Sequence, residues 1–135
     1  MTTIEYISDV VGNLVKKYGT RDPFEICKQL KIRVRYKDLG VTLKAFYFYQ
    51  SRIKNIVINS RAGTIVQHLL CSHELGHAVL HPSAATIRGF QEIELFDTLS
   101  VAENEANLFA AELIISDNDL LALLNDKDKT FFSIS

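Results

Sequence analysis

Ser72-His73-Glu74-Leu75-Gly76-His77-Ala78-Val79-Leu80-His81 carries the pattern H-E-x-x-H in a segment of helical periodicity. Residues four apart on an α-helix differ by about 40° in azimuth and about 6 Å in rise. His73 and His77 therefore point the same way, one above the other, and can close on a single metal ion. Glu74 follows the first histidine, where its carboxylate reaches a water on that ion rather than the ion itself. Zinc lowers the pKa of a bound water to about 7, and a neighbouring carboxylate takes the proton as the water attacks a carbonyl. The pattern is that of a zinc hydrolase, with Glu74 as its base.

Working outward, Ala62, Ile65, Val66, Leu69, Leu70, Gly76 and Leu80 follow the i, i+3, i+4, i+7 template, and both histidines fall on that stripe. Ser60 reads as the N-cap and Pro82 as the stop of this helix. Two histidines leave a catalytic zinc one protein ligand short. His81 continues the spacing but lies about 12 Å of helix rise from His73, too far to share an ion with Zn–N bonds of about 2 Å. It is expected instead to support a ligand from behind, to sit at the mouth of the site or to face the helix C-terminus. The third ligand is sought in a second helix expected over Val101–Leu113, whose small Ala102, Ala106 and Ala110 permit close approach. Glu103 shares a side with Ala106, Asn107 and Ala110 and would complete a His-His-Glu site; Glu105 is the alternative. Asn107, one turn on, is placed to orient a ligand imidazole. Ser100-Val101-Ala102-Glu103 also reads as a capping box, which would give Glu103 a purely local role.

These residues, SHELGHAVLHP followed by ENEANLFAAEL, resemble the ImmA/IrrE family of zinc metallopeptidases, and the similarity continues upstream through KKYGTRDPFEICKQLKIRVRY, AFYFY and IVINS. It spans roughly residues 5–115. The resemblance implies one zinc held by His73, His77 and Glu103, with Glu74 as base in a thermolysin-like site. It further implies cleavage of a helix-turn-helix repressor of a mobile element, prophage or stress regulon. Two departures stand out. Leu113-Ile114-Ile115-Ser116 replaces the family's Leu-Leu-Met-Pro, and the family's C-terminal extension is expected to be short. A non-hydrolytic protein of the same fold that docks on a repressor is the alternative; the intact Glu74 argues against it, since a purely structural zinc needs no base.

At 135 residues and 47% hydrophobic content the chain suits one globular domain. Its divisions are read as helices and sheet over 1–61, zinc-site helices over 62–124 and a tail over 125–135. Neither a signal peptide nor a membrane span is expected, and isolated Cys27 and Cys71 read as cytosolic thiols, so a cytoplasmic protein without a membrane partner is expected. Charge is uneven: residues 1–61 hold 12 Lys and Arg against 5 Asp and Glu, and residues 62–135 hold 3 against 11. Lys31, Arg33, Arg35 and Lys37 alternate with Ile32, Val34 and Tyr36, predicting a strand with one basic face, either solvated or facing a partner. A pI near 6.4 argues against direct nucleic-acid binding.

The remaining signals predict a helix over Ile4–Tyr18 capped by Thr3, a second from Asp22-Pro23 to about Leu30, and strands near Lys31–Tyr36, Leu43–Tyr49 and Ile53–Asn59. A long connection over Pro82–Leu99, forming a wall of the cleft, and a short helix from Ser116 through Leu124 complete the reading. The expected fold is α+β: a small, mainly antiparallel three-stranded sheet packed on helices, with a zincin-like helix carrying the site. Tyr47, Tyr49 and His81 are candidates to stabilise an oxyanion, and an edge strand is a candidate to hold substrate.

Overall fold

The computed structural model describes residues 1–83 and 96–115, with side chains 96–100 left aside. Of the connection expected over Pro82–Leu99, residues 84–95 lie outside the described residues, as do the helix expected from Ser116 and the tail, while residues 96–99 are helical rather than part of the connection. In chain order the elements are α1 (Thr3–Tyr18), α2 (Pro23–Gln29), β1 (Arg33–Lys37), β2 (Ala45–Gln50), β3 (Ile53–Asn59), α3 (Thr64–Leu80) and α4 (Phe96–Ile114).

Local chemistry sets most boundaries. The Thr2 hydroxyl, one residue before the expected cap, accepts a hydrogen bond from the Glu5 N–H at 3.1 Å, and Gly19 ends α1 at φ 69°. In α2 the Asp22 carboxylate accepts from the Phe24 N–H at 2.9 Å, with Pro23 in the first turn, as the sequence predicts. Lys31 closes α2 at φ 60°, so β1 begins two residues later than expected. The β2–β3 hairpin turns on Ser51 and Arg52, both at positive φ. That is the geometry a two-residue hairpin turn requires.

Ser60 is not the cap of α3. Its N–H donates to the Lys37 carbonyl at 2.8 Å and so continues the sheet. The Asn59 side chain ties the neighbouring turns: its Nδ2 donates to the carbonyls of Gly40 and Leu43, and its Oδ1 accepts from the N–H groups of Leu39 and Arg61. The helix therefore starts only at Thr64, with Gly63 as its N-cap. At its other end α3 stops at Leu80, with His81 as the cap before Pro82.

The sheet has the order β1-β3-β2. The three-stranded sheet on helices is as expected, and its pairing is mixed: β2 runs antiparallel to β3, while β1 runs parallel to it. The hairpin folds β3 back into the space between β2 and β1, so β1 and β2 become the two edges. Val34, Ala45, Tyr47, Ile56 and Ile58 share the helix-facing side and join the core with Ile7, Val11, Ile26, Leu75, Ala78, Phe109 and Leu113. Arg33, Arg35 and Lys37 occupy the opposite face and are exposed. Tyr36 is about half exposed, so the non-basic face of β1 is only partly buried.

The central element is α3, which packs against β2, β3, α2 and, most extensively, α4. In turn α4 packs on α1, where Arg21 donates to the carbonyls of Glu112 and Leu113 at 2.9 and 3.2 Å, satisfying the last turn of α4. It begins at Phe96, five residues earlier than expected. Among the described residues no helix is long and apolar enough to cross a membrane.

Candidate metal centre

The close contact of α3 and α4 is made by absent side-chain bulk. A Cβ placed on Gly76 would lie 3.1 Å from the Phe109 Cβ and 3.2 Å from the Ala106 Cα. Glycine and alanine at the crossing thus bring the two backbones together, while Phe109 and Leu113 fill the core beside it. One turn towards the N-terminus of each helix, His73 and Glu103 face each other.

There the Nε2 of His73 lies 2.8 Å from Glu103 Oε2, and the Nε2 of His77 lies 2.9 Å from Glu103 Oε1. The forked carboxylate spans both imidazoles, and one donor atom from each of His73, His77 and Glu103 falls within 4.8 Å of the others. Despite its short approach to Glu103, the buried His77 Nε2 has no properly directed hydrogen bond. A buried nitrogen left without one is costly unless something else occupies its lone pair. Two imidazole nitrogens and a carboxylate are the donor types that a divalent transition-metal ion takes.

The Glu74 carboxyl group is buried beside this cluster, and its Oε1 has no hydrogen-bond partner. Burial pushes its pKa up to about 7, with His73 pulling it down and Glu103 adding to the rise. A carboxylate poised near neutrality can both take and return a proton. The close approach of the His73 and His77 imidazoles holds Glu103 well below the usual carboxylate range. Burial lowers the pKa of His77 and favours its neutral form. Burial acts the same way on His73, but the Glu103 hydrogen bond, the charges of Glu74 and Glu103, and a hydrogen bond with Asn107 outweigh it and raise the pKa.

His81 stands outside the donor cluster, as helix rise requires. Its Nδ1 lies 3.2 Å from the Nδ1 of His77, and its Nε2 lies 2.8 Å from Glu105 Oε1. Glu105, the alternative third ligand, is thus engaged with His81, while Glu103 faces His73 and His77. The capping-box reading of Ser100 and Glu103 falls because both lie inside α4, four and seven residues past its start. Tyr47 is fully buried and its hydroxyl donates to the Pro82 carbonyl at 2.6 Å. Tyr49, further along β2, is about half exposed and lines a different cavity. The His81–Glu105 pair and the role of Gly76 were missed in the sequence. The i, i+4 spacing of His77 and His81, and the glycine inside a strongly helical stretch, were the available signals.

A model of a peptidase family, described as the IrrE N-terminal-like domain, matches residues 27–133. Two relatives align over most of the chain. The uncharacterized immunity region protein 2 of Bacillus phage phi105 is 40% identical over 111 residues, covering 82% of this chain and 69% of the relative. Metallopeptidase ImmA of Bacillus subtilis is 30% identical over 119 residues, covering 87% and 68%.

Proposed function

Because the chain belongs to the peptidase family of the IrrE N-terminal-like domain, we propose that it is a zinc-dependent endopeptidase cleaving a helix-turn-helix repressor of a mobile element, prophage or stress regulon. The convergence of His73, His77 and Glu103 beside the unpartnered carboxyl oxygen of Glu74 carries this reading. The donor set fits one zinc per chain, since a His₂Glu set leaves a position open. The family and the metallopeptidase name of one relative support a protein substrate, and the repressor is what the resemblance of the sequence motifs implies. A repressor substrate places the activity in the cytoplasm.

In this reading His73, His77 and Glu103 hold the ion. Zinc supplies Lewis-acid polarisation of the scissile carbonyl and acidifies water. Glu74, buried beside the cluster with an unpartnered carboxyl oxygen, would accept a proton from the attacking water and return it to the leaving amine. Asn107 steadies the His73 ring. If the orphaned His77 Nε2 is a ligand atom, its proton sits on Nδ1 and is donated to His81 Nδ1. The proton of His81 is then on Nε2, directed at Glu105. β2 is the sheet edge that packs on α3. An extended substrate segment added to it would run beside the helix carrying both histidines.

The test is incubation of the zinc-loaded protein with a helix-turn-helix repressor encoded beside its gene, with Glu74→Gln in parallel. Wild type should cleave, and the variant should keep its zinc while losing about 10²–10⁴-fold in rate. Equal cleavage by both would remove Glu74 from the chemistry. Binding without cleavage at full zinc loading would favour a docking protein instead.

A further inference from the structure

A cavity of about 370 Å³ shares no residue with the metal cluster. Lys31, at the end of α2, and Arg52 and Lys54, of the β2–β3 hairpin, line it together with Tyr49. Leu14, Leu30 and Val79 give it an apolar side. None of these lining residues is acidic. Lys54 Nζ donates to the Ala78 carbonyl at 2.9 Å, and among the described residues neither Lys31 nor Arg52 has an ion-pair or side-chain hydrogen-bond partner.

The backbone makes the clustering informative. Lys31 at φ 60° and Arg52 at φ 65° occupy the left-handed region, where glycine or asparagine is the ordinary residue. One position closes a helix and the other a hairpin, so the two are independent in local structure. Each carries a long, exposed cationic side chain instead, and both residues line the same cavity. Like charges gathered around one space repel, and an anion between them reverses the sign of the interaction. The volume falls in the range of small-molecule sites.

We propose that this cavity binds a small organic anion, with a carboxylate, phosphate or sulfonate head held by Lys31, Arg52 and Lys54 and an apolar body laid against Leu14, Leu30 and Val79. The site is independent of the peptidase reading. Fluorescence titration of the metal-loaded full chain with 8-anilinonaphthalene-1-sulfonate tests it against N-phenyl-1-naphthylamine, the uncharged parent. The sulfonate should bind saturably at one site, be displaced by inorganic phosphate, and bind much more tightly than the parent. Lys31→Gly with Arg52→Gly should weaken it about tenfold or more, with an unchanged or higher melting temperature, since glycine relieves both backbone positions. Should that variant fold poorly, Lys31→Gln with Arg52→Gln gives the same reading without altering backbone freedom. Equal affinity for the uncharged parent, or unchanged sulfonate affinity in the folded variant, would overturn the proposal.

Discussion

At the scale of single residues, the site is governed by what each polar atom lacks. Glu74 Oε1 and His77 Nε2 are buried without hydrogen bonds, while the other nitrogen of His77 is engaged by His81, and His81 by Glu105. The far end of that chain should therefore be felt at the metal. Glu105→Gln should weaken zinc binding about 10–100-fold, the usual effect of removing a group that orients a ligand. Competition with a chelating dye reads this directly, and wild-type affinity in the variant would show that His81–Glu105 is merely a surface pair. Tyr47 gives a second prediction, about pH. Burial raises its phenol from the ordinary value near 10 to about 12. The folded protein thus holds the proton more tightly than the unfolded chain. The stabilisation this provides is complete below pH 10 and lost as the pH rises through about 12. Denaturant melts between pH 9 and 12 should show wild type losing stability faster than Tyr47→Phe. Parallel slopes would mean that the phenol is not shielded in the fold.

At the scale of elements, the decisive contact is the crossing of α3 and α4 at Gly76. A methyl group there meets Phe109 and the Ala106 backbone at 3.1–3.2 Å, so α4 must give by a few tenths of an ångström. For Gly76→Ala that strain is opposed by a gain of about 1 kcal/mol in helix propensity, and stability should barely change. Gly76→Val has more bulk and no comparable gain. It should cost about 1–3 kcal/mol and loosen zinc by moving Glu103 away from the histidines. Thermal melts and metal titration check both, and a Val variant as stable and as zinc-tight as wild type would refute the close approach. This crossing also explains what was legible in the sequence. Helical spacing gave the His73–His77 pair, and the run of small residues gave the side of α4 that meets it. The pairing of β1 with β3 was not legible, because it depends on a hairpin folding back between strands. The start of α3 was displaced because Asn59 and Ser60 spend their hydrogen bonds on the sheet and its turns, a tertiary demand that overrides a good local cap. The His81–Glu105 pair needed the relative rotation of two helices, which no spacing within one helix supplies.

At the scale of the whole molecule, charge is segregated. The segment through Arg61 carries a net +7 and the remainder −8. The sheet turns part of this into a surface: Arg33, Arg35 and Lys37 line one exposed face of edge strand β1, and among the described residues none of them has an ion-pair partner. Charges so exposed add little to affinity, about 0–1 kcal/mol per pair. They act over roughly a Debye length, about 8–10 Å at physiological salt, and so bear on how fast a protein partner arrives and in what orientation. An acidic patch on the substrate would be drawn to β1 while its scissile segment reaches α3. Reversing Arg33 and Arg35 to Glu should then slow association with the proposed repressor substrate and flatten or invert its salt dependence. Zinc content should be unchanged, because neither residue touches the centre. Stopped-flow association at two ionic strengths separates this from simple solvation of the strand: a steering face loses rate mainly at low salt, where the field extends furthest, whereas a solvated face gives the same rates with either charge.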